Sequence, residues 1–358
     1  MSAAPLDRAV RFCEAYGVAA PVLAAPMAGS SPPALAAAVA RGGGMGGYGA
    51  LLDDGARIGR WFAAFRQASG GPVQANLWVP RAAPPPRDRA AEQSARAALA
   101  AWGPQATEEA TDAAAPPNFQ EQCAALIAAR PTAVSSVMGL FPANFAAELR
   151  TAGIAWFATV STPAEARAAE AAGADAVIAQ GYEAGGHRGE LDPDAPGEGG
   201  IGLIALVPQV ADAVRIPVIA AGAIADGRGI AAALALGASA VQIGTALLLA
   251  DEADTHPTWR AAIPATAPDA TVVTRAYSGR AARAIGNDYV RGAPAALPYP
   301  VQRGLTAPMR RAAAERGDAR VMQMWAGQGA SLARVAPAAD LVHLWWADAR
   351  AAFGIRGE

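Results

Sequence analysis

Three histidines occur in 358 residues, and one of them, His187, stands in the run QGYEAGGHRG (180–189) among four glycines. An imidazole with an ordinary pKa near ~6.5 exchanges a proton at neutral pH, or holds an anion when charged. Gly185 and Gly186 beside it would let a ligand lie against backbone that carries no Cβ. His187 is therefore the candidate catalytic group. Glu183 on the same stretch could orient His187, pair with an arginine or cap a turn; Arg188 is expected to face solvent or pair with an acidic neighbour. Asn76 and Gln180 place amides at the ends of apolar runs, and an amide can match the alternating N–H and C=O edge of a flavin ring. The plainer alternative is that both amides stitch loops together. Gly222, Gly244 and Thr245 fall in AAGAIADG and QIGTAL, where glycine amides and a hydroxyl suit a phosphate; tight turns are the other use of such glycines. His256 and His343 lack comparable surroundings and read as structural. Scattered histidines without paired carboxylates give no metal site.

These residues need a scaffold that gathers strand ends. Eight short apolar runs recur, each followed by an Ala-rich stretch of helical character: PVLAAPM (21–27), GMGGYGA (44–50), PVQANLWV (72–79), TAVSSVMG (132–139), IAWFATV (154–160), ADAVIAQG (174–181), PVIAAGAI (217–224) and AVQIGTALL (240–248). Eight βα units in order predict an α/β fold, a (β/α)8 TIM barrel, with chemistry at the C-terminal ends of the strands. Helix signals agree: Thr162 as N-cap with Pro163 and Glu165 behind it and Gly173 as stop, Ser31 as N-cap of SPPALAAAVARGG, and Asp226 and Gly237 bounding DGRGIAAALALG. The barrel is assigned to residues 1–79 and 132–255. Residues 80–131 form an insertion of lid or subdomain type. Residues 256–358 form a mainly helical C-terminal part on the substrate side, and the two additions together make a smaller domain. The acidic, Gly/Pro-rich stretch after His187 reads as a mobile loop.

Composition narrows the partners. The chain is 53% hydrophobic and 17% charged with a formal net charge of −2, which gives no reason to expect nucleic acid or an anionic membrane surface. All its basic side chains are arginines, so a Schiff-base lysine is excluded. Cys13 and Cys123 stand alone and outside any CxxC spacing, as in a reducing cytosol. No leader and no membrane-spanning run is visible, so a cytoplasmic protein is expected.

APMAGS, QGYEAGGHRG, IPVIAAGAIADGRGIAAALALGASAVQIGTALL, TRAYSGRAAR and WAGQG, in that order, resemble the FMN-dependent nitronate monooxygenases (2-nitropropane dioxygenases), most of all the bacterial class I members. The resemblance implies one FMN in a barrel, with a smaller domain closing over it. It implies that Ala25, Pro26 and Met27 line the flavin and that Asn76 and Gln180 bond around the ring. Gly185 would lie close to the flavin, and Gly222, Gln242, Gly244 and Thr245 would hold the phosphate end. His187 falls on the family's active-site histidine, a base toward neutral nitroalkanes or a positioning group for an anionic nitronate. The implied reaction takes an alkyl nitronate, such as propionate 3-nitronate, and O2 to a carbonyl product and nitrite, in a monomer or homodimer. Relatives often carry AAGGIADG where Ala223 stands here, and His or Phe just before the strand-4 glycine, where SSVMG offers Ser136, Val137 and Met138. An NAD(P)H-dependent FMN reductase, of enoyl-acyl-carrier-protein or quinone type, is the alternative. A flavin-free barrel enzyme and a flavin binder without turnover are further rivals.

Overall fold

The computed structural model describes residues 5–81, 86–112, 115–192 and 199–355. The strands are β1 (Val22–Ala24), β2 (Gly46–Gly49), β3 (Val73–Trp78), β4 (Ala133–Val137), β5 (Ala155–Val160), β6 (Ala176–Gln180), β7 (Gly186–His187), β8 (Val218–Ala221), β9 (Ala240–Ile243), β10 (Thr271–Thr274) and β11 (Ala282–Ile285). Eight of them form one parallel sheet in the order β1-β9-β8-β6-β5-β4-β3-β2. Their continuous burial explains why they read as unbroken apolar runs rather than as alternating ones. A parallel bridge between Leu23 and Met45 brings the two ends together, with Met45 N donating to Val22 O and Ala24 N to Met45 O, both at 2.9 Å. The barrel is nearly closed, a TIM barrel. Its seam is glycine-built for a steric reason: a Cβ on Gly47 would sit 2.3 Å from the Ala24 carbonyl oxygen.

The helix caps at Thr162 and Asp226 form as the sequence predicts. Thr162 accepts from the Glu165 amide at 3.1 Å, while Glu165 accepts from Ser161 N at 2.6 Å. Asp226 caps Gly227–Ala235 through the amides of Arg228 and Gly229. Two boundaries are corrected. Helix Pro33–Arg41 is entered from an extended Pro32 without a side-chain cap, because Ser31 Oγ instead accepts from Met27 N at 3.1 Å and fastens the turn after β1. The last apolar run is strand only to Ile243, and Thr245–Leu249 winds into a 3-10 turn.

Between β3 and β4, helix Phe119–Ala129 packs on Gly55–Ala68 and Ala143–Ala152 in the outer ring, whereas Arg89–Leu99 and Glu108–Asp112 pack on Val301–Arg316. Glu92, with a side chain 3% exposed, anchors that insertion through Arg87 and Arg89. In the C-terminal part, β10 and β11 make an antiparallel pair, and β11 also pairs with β7, setting Ala282 opposite His187 and Arg283 opposite Gly186. The stretch expected to be mobile (189–200) lies partly at residues 193–198, outside the described residues, as do residues 82–85 of the Pro-rich start of the insertion.

Candidate active site

The twelve residues singled out above all line one cavity of about 380 Å³ at the C-terminal ends of the barrel strands, a size usual for small-molecule sites. Ala25, Pro26 and Met27 enter it from the end of β1, where Ala25 N donates to Ile243 O at 2.8 Å. Three amides point polar groups at it. Asn76 uses its Nδ2 on Ser135, at 3.2 Å to the carbonyl and 3.0 Å to the hydroxyl, and its oxygen takes no donor among the described residues. Gln180 staples the histidine loop: its Oε1 accepts from Gly189 N at 2.8 Å and its Nε2 donates to His187 O at 3.1 Å. One N–H of that amide is left over. Gln242 accepts at Oε1 from Gln74 Nε2 at 2.8 Å. Stitching and lining are thus compatible roles for the same side chains.

At the β8 and β9 end, Gly222 has φ +132°, and a Cβ there would stand 3.3 Å from Ala184 N. Ala223 adopts φ +52°, a left-handed conformation that costs an L-residue about 1 kcal/mol or more. Thr245 Oγ1 accepts from Gly327 N at 3.0 Å, so the segment holding Trp325, Gly327 and Gly329 crosses the mouth. Its glycines permit that crossing: a Cβ on Gly185 would lie 2.5 Å from Gly327 N, and one on Gly329 would lie 2.6 Å from Ala223 O. Gly244 lies beside the side chains of Ala25 and Met27, while Gly186, at φ +77°, has open space around it.

His187 is held at Nε2 by Ser278 Oγ, 2.9 Å away, and stands edge-on between the rings of Trp78 (4.8 Å) and Trp325 (5.2 Å). Its Nδ1 has no hydrogen-bond partner among the described residues. Burial of the ring, and then the charges of Arg280, Arg303 and Arg310, push its pKa down to about 3. Arg280 lies over Tyr299 (4.6 Å) and Trp78 (5.3 Å) and touches Met138 Sδ. Met138 is therefore turned to Arg280. Arg303 and Arg310 line the cavity from helix Val301–Arg316, and no Asp or Glu among the described residues does so. Arg310 donates to Gln323 Oε1 at 2.8 Å, Arg303 O at 3.1 Å and Thr306 Oγ1 at 3.2 Å. Burial and the neighbouring Arg303 lower its pKa to about 10.

The open readings on the histidine loop resolve. Both Glu183 oxygens accept from Leu203 N at 2.9 Å, so this carboxylate caps the next helix and does not touch His187. Arg188 is not solvent-facing: it is 3% exposed, paired with Glu190 at 3.0 Å and bonded to Gly181 O at 2.8 Å. Arg188 and Arg283 each lie over the Tyr182 ring, at 5.3 and 4.9 Å. His256 Nδ1 accepts from Thr258 N at 3.2 Å at the start of a helix. Sequence reasoning did not find Trp78, Ser278, Arg303, Arg310 and Trp325. Ser278 and Trp325 lay inside or beside motifs already noticed, TRAYSGRAAR and WAGQG, but carried no sign of which strand end they would meet.

Residues 11–346 match the family model described as nitronate monooxygenase. The nitronate monooxygenase of Pseudomonas aeruginosa is 40% identical over 353 residues, covering 93% of this chain and 97% of that one. That of Paraburkholderia phytofirmans is 42% identical over 340 residues, 91% of each. Among solved structures, nitroalkane oxidase from Streptomyces ansochromogenes superposes with a TM-score of 0.85 at 38% identity, over 95% of this chain and 99% of that one. FabK from Thermotoga maritima gives 0.72 at 28% identity, over 96% and 97%.

Proposed function

Since the chain belongs to the nitronate monooxygenase family and is an oxidoreductase by that membership, we propose that it binds FMN in the barrel-mouth cavity. There it would oxidise anionic alkyl nitronates such as propionate 3-nitronate with O2, giving a carbonyl product and nitrite. The observation that carries the substrate reading is the pair Arg303 and Arg310 in a cavity wall free of described carboxylates. The fit to FMN is supported by the amide groups of Asn76, Gln180 and Gln242 that keep unused polar atoms. It is supported too by Gly222, Gly244 and the Thr245 hydroxyl, which line the same cavity where the turns after β8 and β9 meet. Ala25, Pro26 and Met27, with Gly185 and Gly186, would wall the ring. When bound, FMN would accept electrons from the substrate and pass them to O2.

The residues of the chain do the rest. A neutral His187 with so low a pKa is a poor base for a C–H proton, which favours a substrate that arrives already ionised. Arg303 and Arg310 attract that anion, and a bound anion offsets their field and so raises the affinity of His187 for a proton. Trp78 and Trp325 confine the imidazole and keep water from its faces. The free thiols of Cys13 and Cys123 support a reducing, cytoplasmic setting for this reading, with the enzyme acting as a monomer or homodimer.

The test is an anaerobic visible spectrum of the purified protein mixed separately with propionate 3-nitronate and with NADH. Bleaching by the nitronate, reversed by air with nitrite release, is the expected result. A cationic wall accepts other anions, so a second reading stands: an FMN reductase fed by phosphate-bearing NAD(P)H, which predicts bleaching by NADH alone. A colourless protein that yields no FMN on extraction overturns both.

A further inference from the structure

We infer that Gln74, which does not line the cavity, is a positioning residue that sets the polarity Gln242 shows to the cofactor: by holding the Gln242 oxygen, it turns the Gln242 NH2 group into the cavity as a donor. The inference rests on the reading of the cavity as an FMN site. Gln74 lies in β3 with no exposed surface, inside a barrel that branched apolar side chains ordinarily fill. A buried amide is costly there unless its hydrogen bonds are made.

The orientations are forced in sequence. The Ala24 carbonyl can only accept, so it must face a nitrogen, and Gln74 Nε2 donates to it at 2.9 Å. The second proton of the same nitrogen goes to Gln242 Oε1 at 2.8 Å. With its oxygen held toward Gln74, Gln242 turns its Nε2, whose protons no described residue takes, to the cavity it lines. Gln74 gains little for itself, since its own Oε1 is buried with no partner among the described residues. What its presence secures is a fixed Gln242 amide and a tie from β3 to the ends of β1 and β9. FMN is rich in acceptors, its ring carbonyls and phosphate among them, so a locked donor favours it and a flipped amide would oppose it.

The experiment follows FMN release from the holoprotein by the rise in flavin fluorescence on dilution. Gln74→Met, of similar length but without donors, should weaken FMN retention by roughly tenfold, the scale of one hydrogen bond. The decisive readout is the double-mutant cycle. If Gln74 acts through Gln242, Gln74→Met costs nothing further in a Gln242→Met background, whereas a merely structural role gives additive losses. Additive losses, or unchanged retention in Gln74→Met, overturn the inference. Should Gln74→Met not fold by circular dichroism, Gln74→Leu carries the same cycle, because it too removes the donor without adding a charge. A wild-type protein that holds no FMN overturns the flavin reading itself, a different result from a flavin-bearing protein indifferent to Gln74.

Discussion

An imidazole held near a pKa of about 3 differs in kind from one that titrates near neutrality. In the unliganded enzyme His187 stays neutral through the physiological range, so kcat/KM should show no limb at ~6.5. His187→Asn is expected to keep its FMN and lose turnover by roughly 10- to 100-fold, the cost of misplacing a substrate; steady-state kinetics with nearly unchanged kcat would remove His187 from the mechanism. The same group links stability to pH. Its folded pKa lies below its unfolded one, so the unfolded chain binds more protons between about pH 6.5 and 3, and native stability falls as pH drops through that window. Urea melts at pH 7 and pH 5 should therefore show a larger acid loss in the wild type than in His187→Asn. His187 was legible in the sequence because histidine is scarce here and four glycines surround it. The groups that depress its pKa were not, since Arg280, Arg303 and Arg310 come from a part of the chain whose contact with β6 no local pattern announces.

The elements that carry the site divide between those with a periodic signal and those without. The eight barrel strands were readable because each is an apolar run closed by turn residues and followed by a capped helix. The β10–β11 pair was not: its strands are four residues each and its third partner, β7, has two, too short for any alternation to register. Yet this small sheet fixes the histidine loop. Arg283 reaches across it to donate to Tyr182 O at 2.9 Å and Thr271 Oγ1 at 3.1 Å. Arg283→Ala should cost about 1–3 kcal/mol in chemical denaturation and quicken amide exchange across residues 181–189. Exchange confined to the tail, with that loop still protected, would mean the loop is held by other contacts. In the turn after β8, Ala223→Gly should relieve the left-handed strain and stabilise by up to ~1 kcal/mol, part of the relief being offset by glycine's greater freedom when unfolded. A lower melting temperature for Ala223→Gly would show that the methyl group contributes more than its backbone costs.

Across the whole molecule, a chain of net charge −2 keeps two arginines in the wall of its strand-end cavity, so the attraction proposed for an anionic substrate would be local. Raising ionic strength from ~10 mM to ~0.5 M should lower kcat/KM for a nitronate through screening, and Arg310→Gln should flatten that dependence. A slope equal in both proteins would place the attraction elsewhere. Composition could report the net charge but not where the arginines gather, because that follows from how helix Val301–Arg316 is laid over the barrel by the insertion packed behind it. The pairing of β1 with β9 also has a consequence in time. At about 5–20 residues per second, the ribosome takes roughly 10–45 seconds to make the chain between those strands, and Leu23 waits through all of it for its neighbour. The histidine loop waits longer still for β11, and Trp325 comes after that. Until β9 is made, β1 therefore keeps an unpaired edge, and the cavity lacks part of its wall until Gly329 has been added.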